Sequence, residues 1–252
     1  MKNLKNITNE ILCLKIDIDL IQANQIELAD TIRLLLYEHY PACFERLSYE
    51  DDRTFLEPAL FYVFSEKSSI NISVDQIVYG YIDSDKRPSS FASLSDPFGE
   101  VYLGNHGSFS DNPVVEYVQK LQTPLKKIIR IADTIQLNCH APFILYTDKV
   151  DTTKFAEPVL ETVIKYKGPL EAAFYILQNN VSEFWHIIEL VTREISLFSS
   201  ENSRSMAAIS YHGTAFINTE GQPHDEVFFV EDLAHQCGHI ILIQNHKDAF
   251  RM

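Results

Sequence analysis

Two histidines, His235 and His239, are four residues apart in the stretch EDLAHQCGHIILIQ near the end of the sequence. On a helix this spacing places both imidazoles on one face about one turn apart, where they can share a single metal ion. Glu231, Asp232 and Gln236 extend the same polar stripe, and apolar residues occupy the other side. A buried polar stripe needs a hydrogen-bonded partner or a bound ion. We therefore expect His235 and His239 to be metal ligands; the alternative is an ordinary histidine pair.

Gln236 limits the chemistry that this pair can support. In zinc peptidases with an H-E-x-x-H motif, the glutamate at this position takes a proton from metal-bound water, whereas a carboxamide cannot act as a base near neutral pH. An iron(II) oxygenase needs no such base, because it requires mainly three facial ligands and open coordination positions. The glutamine therefore disfavours hydrolysis and is compatible with oxygenation. A zinc hydrolase would need a replacement base such as Glu231.

Spacing alone does not identify a third ligand. His246 lies on the same helical face as His235, but the unbroken helix between them would span about 16 Å, so one ion cannot contact both. His224, in the loop before the predicted helix, and His212, on the strand before that, are further candidates. Either one of these histidines is the ligand, or the sequence is a truncated or split form of a longer protein.

The elements that must position the pair are predicted from periodicity, turn residues and breakers. Helices are predicted over 26–36, between 114 and 137, and over 157–167, 170–178, 184–198 and about 226–244. A Gly168–Pro169 break separates the third from the fourth, and Ser182 is the expected N-cap of the fifth. β-Branched and aromatic content predicts strands within 70–82 and over 101–103, 142–146 and 206–218.

These elements indicate an α+β fold with two regions. Residues 1–150 are predicted to be a mixed α/β region, and residues 151–252 a unit of helices, a short sheet and the HxxxH helix. A strand, a short turn and a helix that carries HxxxH at its middle form the active site of zinc peptidases, where an edge strand holds the substrate. The second region is therefore expected to be zincin-like, with the strand over 207–218 holding an extended peptide by strand addition.

Composition excludes several classes of protein. The 252 residues include 21 Lys and Arg against 35 Asp and Glu, and the net charge of −14 disfavours a nucleic-acid partner. There is no run of about 18 apolar residues, the length of a membrane span, and charges at Glu10, Lys15 and Asp17 interrupt any signal-peptide core. The four cysteines form no C-x-x-C pair, so no disulfide framework is indicated. We expect a cytoplasmic protein with neither a nucleic-acid nor a membrane partner.

Three segments between Phe184 and Ile243 carry a resemblance to a known family: FWHIIELVTREISLF, AAISYHGTAFIN and VEDLAHQCGHIIL. In this order they resemble the HExxH-motif domain of bacterial peptide-modifying proteins, over roughly the last 70 to 100 residues. That group includes 2-oxoglutarate-dependent β-hydroxylases of ribosomally synthesised precursor peptides. The resemblance implies that His235 and His239 hold iron(II), with Gln236 at the position that is usually Glu.

The same resemblance implies 2-oxoglutarate as a cofactor, and its distal carboxylate requires a basic residue. Arg193, Arg204 and Arg251 are the nearest arginines in the sequence, and no choice is made among them. Zinc is the alternative metal. The implied partner is a precursor peptide, whose sequence and modified residue are unknown.

Three hypotheses about function follow. The first is metal-dependent modification of a ribosomally made peptide, by side-chain β-hydroxylation that uses iron(II) and 2-oxoglutarate. The second is a non-catalytic peptide-binding or scaffold protein with a degenerate metal site, for which Gln236 and the unidentified third ligand argue. The third is a zinc metallopeptidase-like hydrolase. The sequence identifies neither catalytic residues beyond the metal pair nor an oligomeric state.

Overall fold

The computed structural model describes residues 17–65, 73–110, 128–131, 134–145, 159–221 and 224–244. In chain order the helices of these ranges are α1 Ile18–His39, α2 Pro41–Phe44, α3 Asp52–Phe55, α4 Pro58–Val63, α5 Val74–Val78, α6 Val159–Asn180, α7 Ser182–Val191 and α8 Glu226–Gln244. The strands are β1 Glu100–Tyr102, β2 Ser108–Ser110, β3 Ile129–Ile131, β4 Ile135–Leu137, β5 Glu194–Phe198 and β6 Thr214–Asn218.

The first helix, α1, contains the helix predicted over 26–36. Asp17 caps it, because Oδ1 of this side chain accepts a hydrogen bond from the Leu20 N–H at 3.1 Å. Its buried apolar residues recur at helical spacing and face the core: Ile21, Leu28, Ala29, Ile32 and Leu36. Among the described residues, no helix combines the length and apolarity that crossing a bilayer requires.

The described strands form two sheets, and the larger has four strands in the order β3, β4, β5, β6. β3 and β4 are antiparallel, whereas β4 is parallel to β5 and β5 is parallel to β6. The smaller sheet is the antiparallel pair β1 and β2. Because β4 pairs with β5, regions 1–150 and 151–252 contribute strands to the same sheet. The structure is α+β, as predicted.

The four-stranded sheet separates two apolar clusters. Alternate residues of β5 and β6 pack with α6, α7 and α8 on one face: Ile195, Leu197, Ala215 and Ile217. Phe198 and Phe216 pack with residues of α1 to α5 on the other face. Successive side chains of a strand point to opposite faces, so a strand that is covered on both faces buries all its residues. All five residues of β5 are buried for this reason.

The same alternation determines where Glu194 and Thr214 point. They are register partners at the starts of β5 and β6, one residue before Ile195 and Ala215. Their side chains therefore lie on the face opposite α6 to α8, and Thr214 Oγ1 donates a hydrogen bond to Glu194 Oε1 at 2.6 Å. A carboxyl group is thus part of the sheet surface that faces the N-terminal helices.

Two predicted helix boundaries are wrong. α6 runs without a break through Gly168 and Pro169, because buried Val163, Tyr166 and Leu170 continue one apolar face past the proline. This packing outweighs the hydrogen bond that proline removes. α7 ends at Val191, so the second half of the helix predicted over 184–198 is wrong, and residues 194–198 form β5. A short apolar run suits a strand covered on both faces as well as a helix.

Several other predicted elements also differ from the structure. The described part of 70–82 forms α5 and a 3-10 turn rather than strands, residues 143–145 form a 3-10 turn, and 206–218 is extended as a strand only over β6. Within the helix predicted between 114 and 137, residues 114–127 lie outside the described residues, and β3 and β4 occupy part of the remainder. The strand near 101–103 and the helix from Glu226 to Gln244 are confirmed.

Candidate functional site

The histidine pair lies on the outer face of α8. Buried residues of this helix pack into the first apolar cluster: Phe229, Leu233, Cys237 and Ile240. His235 and His239 are on the opposite side and are exposed. Their Nε2 atoms are 3.0 Å apart, and their ring centroids are 4.6 Å apart. The structure therefore brings the two imidazoles together at the surface, and not in the buried pocket that the apolar helix suggests.

The distance between the two Nε2 atoms fits two neighbouring ligands of one metal ion. At metal–nitrogen distances of about 2.1 Å, two ligands at right angles are about 3.0 Å apart. A hydrogen bond between two neutral imidazoles gives a similar distance. The described ranges contain no group of three or more His, Cys, Asp or Glu side chains that could hold a metal ion. Within those ranges, the pair therefore offers two nitrogen donors at a suitable distance and no third side chain beside them.

The candidate third ligands lie elsewhere. His212 is buried, with Nε2 3.4 Å from Gln25 Nε2 and its ring packed on Phe61, and burial lowers its pKa to about 4. His224 stacks on Phe228 with 3.8 Å between ring centroids. Neither histidine forms a three-ligand group with the pair among the described residues. His246 lies outside the described residues.

Gln236 points away from the exposed face of α8. Its side chain is 2% exposed, and Nε2 donates a hydrogen bond to Asp232 Oδ1 at 3.2 Å. Position 236 is one turn from buried Leu233 and Ile240, which places it at the border of the apolar face. The predicted polar stripe is therefore split: the two histidines and Glu231 are exposed, whereas Gln236 is buried.

The strand that was expected to bind a peptide is covered on its outer edge. β6 is the last of the described strands of this sheet, but the Phe216 N–H and C=O groups both pair with Met206 at 2.9 Å. The Asn218 N–H donates to Ser205 Oγ at 2.9 Å. A peptide cannot add at these positions without displacing the chain's own segment. Strand addition over 207–218 is therefore contradicted for this edge.

A second group of chemically capable side chains lines a cavity of about 210 Å³ between α3, α4 and the starts of β4 and β5. Its lining contains three arginines and three carboxyl residues: Asp51, Arg53, Glu57, Arg130, Arg193 and Glu194. Tyr81 and Gln136 add polar groups, and Leu56 and Pro58 add apolar surface. No lining residue belongs to α8, so the cavity and the histidine pair are separate features.

Glu57, just before α4, is buried against two tyrosines. Its side chain is 3% exposed, and it accepts hydrogen bonds from Tyr81 Oη at 2.7 Å and Tyr102 Oη at 3.0 Å. Burial raises the pKa of Glu57, and the two tyrosine hydrogen bonds partly oppose this effect because they stabilise the ionised form. Burial also raises the pKa of both tyrosines. Both carboxyl oxygens of Glu57 are therefore already engaged.

Glu194 is 2% exposed at the start of β5. Burial first, and then the nearby charge of Glu57, raise the pKa of Glu194 to about 8. This carboxyl group is therefore mostly protonated at neutral pH and can donate a hydrogen bond. A neutral carboxyl beside a cavity can serve as a general acid or as a donor to a bound anion.

The three arginines differ in their partners. Arg53 donates from Nε and Nη2 to the two carboxylate oxygens of Asp51, at 3.0 and 3.1 Å, and this hydrogen bonding lowers the pKa of Asp51. Arg130 is exposed and donates to Asn105 Oδ1. The Arg193 side chain is half-buried, and partial burial lowers its pKa. Among the described residues, no acceptor lies within hydrogen-bond or ion-pair distance of its guanidinium.

Backbone hydrogen bonds to Gly213, in the turn before β6, fix the position of Arg193 at the cavity. The backbone N–H groups of Arg193 and Glu194 both donate to the Gly213 carbonyl, at 2.8 and 3.2 Å. Gly213 has a φ of 87°, and a Cβ at this position would lie 3.2 Å from Arg193 Cγ. Both the left-handed backbone and the close arginine stem therefore favour glycine here.

The sequence does not predict this cavity. Glu57 and Glu194 are distant in the chain and form no motif, and the available signal is a lone carboxyl in each of two apolar stretches, LEPALFYVF and EISLF. Such a group predicts a buried carboxyl that needs partners. Of the arginines considered for a cofactor carboxylate, Arg193 lines the cavity, Arg204 is exposed, and Arg251 lies outside the described residues.

No protein-family model matches the chain, and a search of curated proteins finds no match. The resemblance to HExxH-motif proteins therefore depends on the residues between Phe184 and Ile243 alone.

Proposed function

We propose that this protein binds a divalent metal ion through His235 and His239 and takes part in the modification of a peptide. The observation that supports the metal part is the distance of 3.0 Å between the two Nε2 atoms. Both side chains are exposed on α8, so an ion can reach them directly from solvent. The ion would supply redox chemistry if it is iron(II) and Lewis acidity if it is zinc.

The kind of reaction is argued from the surroundings of the pair. Gln236 is turned into the core and cannot act as a base, so the position that holds the glutamate of a peptidase carries no base here. A zinc hydrolase would depend on Glu231, which is exposed one turn before His235. Oxygenation of a peptide side chain with iron(II) and 2-oxoglutarate needs open coordination positions rather than that base. It is therefore the reaction we favour.

A non-catalytic peptide-binding or scaffold protein is the second candidate function. The buried Gln236–Asp232 hydrogen bond favours it, because a buried amide is a stable structural feature and has no acid–base role. The lack of a third ligand among the described residues agrees with a degenerate metal site. In this second case, the two histidines would be a surface pair without a resident ion.

Metal binding can be measured on untagged protein that has been stripped with a chelator. We expect about one cobalt(II) or iron(II) ion per chain, detected by the absorption of the cobalt complex and by elemental analysis. His235→Ala and His239→Ala should each abolish this binding, because a single imidazole is a weak ligand. The matched control is His186→Ala, an exposed histidine of α7. Equal binding by wild type and His239→Ala, or no binding by wild type, would refute the metal proposal.

The reaction is tested by mass spectrometry. A precursor peptide encoded near the gene is incubated with the protein, iron(II) and 2-oxoglutarate. A gain of one oxygen on the peptide supports the oxygenase. Peptide binding with no change in mass supports the scaffold, and cleavage of the peptide supports the hydrolase. Omission of 2-oxoglutarate is the control, since it should abolish only the oxygenase reaction.

A further inference from the structure

We propose that the cavity beside β5 binds a small carboxylate anion, with the Arg193 guanidinium as its counter-ion and the Glu194 carboxyl as a hydrogen-bond donor. This site is distinct from the histidine pair, because no residue of α8 lines the cavity. The inference goes beyond the proposed metal function and does not depend on it.

The first step of the argument concerns the donors of Arg193. The carboxylates that line the cavity have other partners, because Tyr81 and Tyr102 engage both oxygens of Glu57 and Arg53 engages both oxygens of Asp51. None of them forms an ion pair with Arg193. The half-buried Arg193 side chain therefore lines the cavity without a protein acceptor in the described part of the chain, and a planar carboxylate matches its guanidinium in two parallel hydrogen bonds.

The second step concerns the charge of the lining. The Glu194 carboxyl is mostly protonated at neutral pH. Even when Glu57 is ionised, the lining therefore has three positively charged arginines and two negatively charged carboxylates, Glu57 and Asp51. The cavity is therefore positive by about one charge in a chain whose net charge is −14. A monoanion balances this charge, whereas a doubly charged phosphate would leave an uncompensated negative charge beside Glu57.

The third step concerns size and shape. A cavity of about 150 Å³ holds benzene, so 210 Å³ is enough for about eight non-hydrogen atoms. Leu56 and Pro58 line the cavity with apolar surface, which suits a short hydrocarbon chain attached to the carboxylate. The Glu194 carboxyl accepts the Thr214 hydrogen bond at 2.6 Å and lines the same cavity as Arg193, so the proposal assigns it as a donor to the anion that Arg193 holds.

The test is an NMR titration of metal-free protein with butyrate and with butyramide, its neutral isostere, at constant ionic strength. We expect saturable shifts with butyrate and none with butyramide, centred on residues 51–58 and 193–194. Arg193→Gln should weaken butyrate binding about 10- to 100-fold, the effect of losing charged hydrogen bonds. The matched control is Arg204→Gln, an exposed arginine outside the cavity, which should bind as wild type does.

Equal binding of butyrate and butyramide would overturn the proposal, as would butyrate affinity that is unchanged in Arg193→Gln. If thermal unfolding shows that Arg193→Gln does not fold, Arg130→Gln takes its place, because Arg130 is exposed at the cavity and its loss leaves the core intact. That variant should bind butyrate about 2- to 5-fold more weakly, and unchanged affinity would then reject the site. All measurements use a chelator, so a failure of metal binding cannot affect the result.

Discussion

Replacement of Glu194 by glutamine should make the protein more stable at neutral pH and should remove part of the pH dependence of that stability. Glutamine has nearly the same shape, and its amide oxygen can still accept the hydrogen bond from Thr214 that Glu194 accepts at 2.6 Å. It cannot ionise, however. The variant therefore isolates the cost of placing an ionisable carboxyl in this buried position.

The sign of this pH dependence of stability follows from the pKa values of Glu194 in the folded protein and in the unfolded chain. Burial raises the folded-state pKa to about 8 from an ordinary value of 4.5. Between these values the folded protein keeps a proton that the unfolded chain has lost, so the free energy of unfolding falls as pH rises. The slope is about 1.4 kcal/mol per pH unit, which gives a loss of about 2 kcal/mol between about pH 6 and pH 7.5. Glu194→Gln lacks this loss.

Urea unfolding of wild type and variant, over this pH range at fixed ionic strength, measures the effect. The stabilisation of Glu194→Gln relative to wild type should grow steadily with pH. Glu57, whose pKa burial also raises, titrates in both proteins, and because its charge helps to raise the pKa of Glu194, the difference reports the two linked carboxyl groups together. Glu201→Gln, at an exposed position, is the control, and its free energy of unfolding should change with pH as that of wild type does. A difference between Glu194→Gln and wild type that is constant with pH would refute the reasoning.

Four further substitutions test the packing of the sheet and of α8. Gly213→Ala should lower the free energy of unfolding in urea by about 1 to 2 kcal/mol, because φ is 87° and the methyl group would crowd the Arg193 side chain. Gly238→Ala, in open space within α8, should raise it by about 0.5 to 1 kcal/mol. Similar effects of the two substitutions would contradict the backbone conformation assigned to Gly213. Gln236→Glu should lower stability at neutral pH by about 1 to 3 kcal/mol, because it places a buried carboxylate next to the half-buried Asp232, to which Gln236 now donates. An unchanged urea midpoint would show that position 236 is accessible to solvent. Phe216→Ala should cost about 3 to 5 kcal/mol, since this ring is fully buried, and a loss below about 1 kcal/mol would contradict its place in the core.

The elements that are predicted correctly are those whose form is determined by residues close together in the sequence. α8 is predicted over its whole length, because its apolar residues recur at helical spacing and a polar turn precedes it. The segment 194–198 shows where such reasoning fails. Its apolar run continues the period of α7, but both of its faces are covered in the folded protein, and burial of that kind removes the alternation that identifies a strand.

The same distinction applies to the candidate sites. His235 and His239 are one turn apart on one helix, so their spacing alone predicts that the rings meet. It does not predict that they are exposed, because this depends on which elements cover α8. The cavity brings together Glu57, Arg193 and Tyr81 from separate segments, and no local pattern joins them. Such a site is visible only once the sheet and the N-terminal helices are packed together.

The pairing of Met206 with Phe216 also bears on how copies of this protein behave at high concentration. Exposed strand edges are templates for association between chains, which can grow into aggregates. Here the outer side of β6 is occupied by the chain itself, and the opposite edge, β3, is only three residues long. Within the part of the chain that the structure describes, neither border offers a long row of free backbone groups to another molecule. A deletion that detaches the Met206 segment should therefore promote precipitation before it impairs folding.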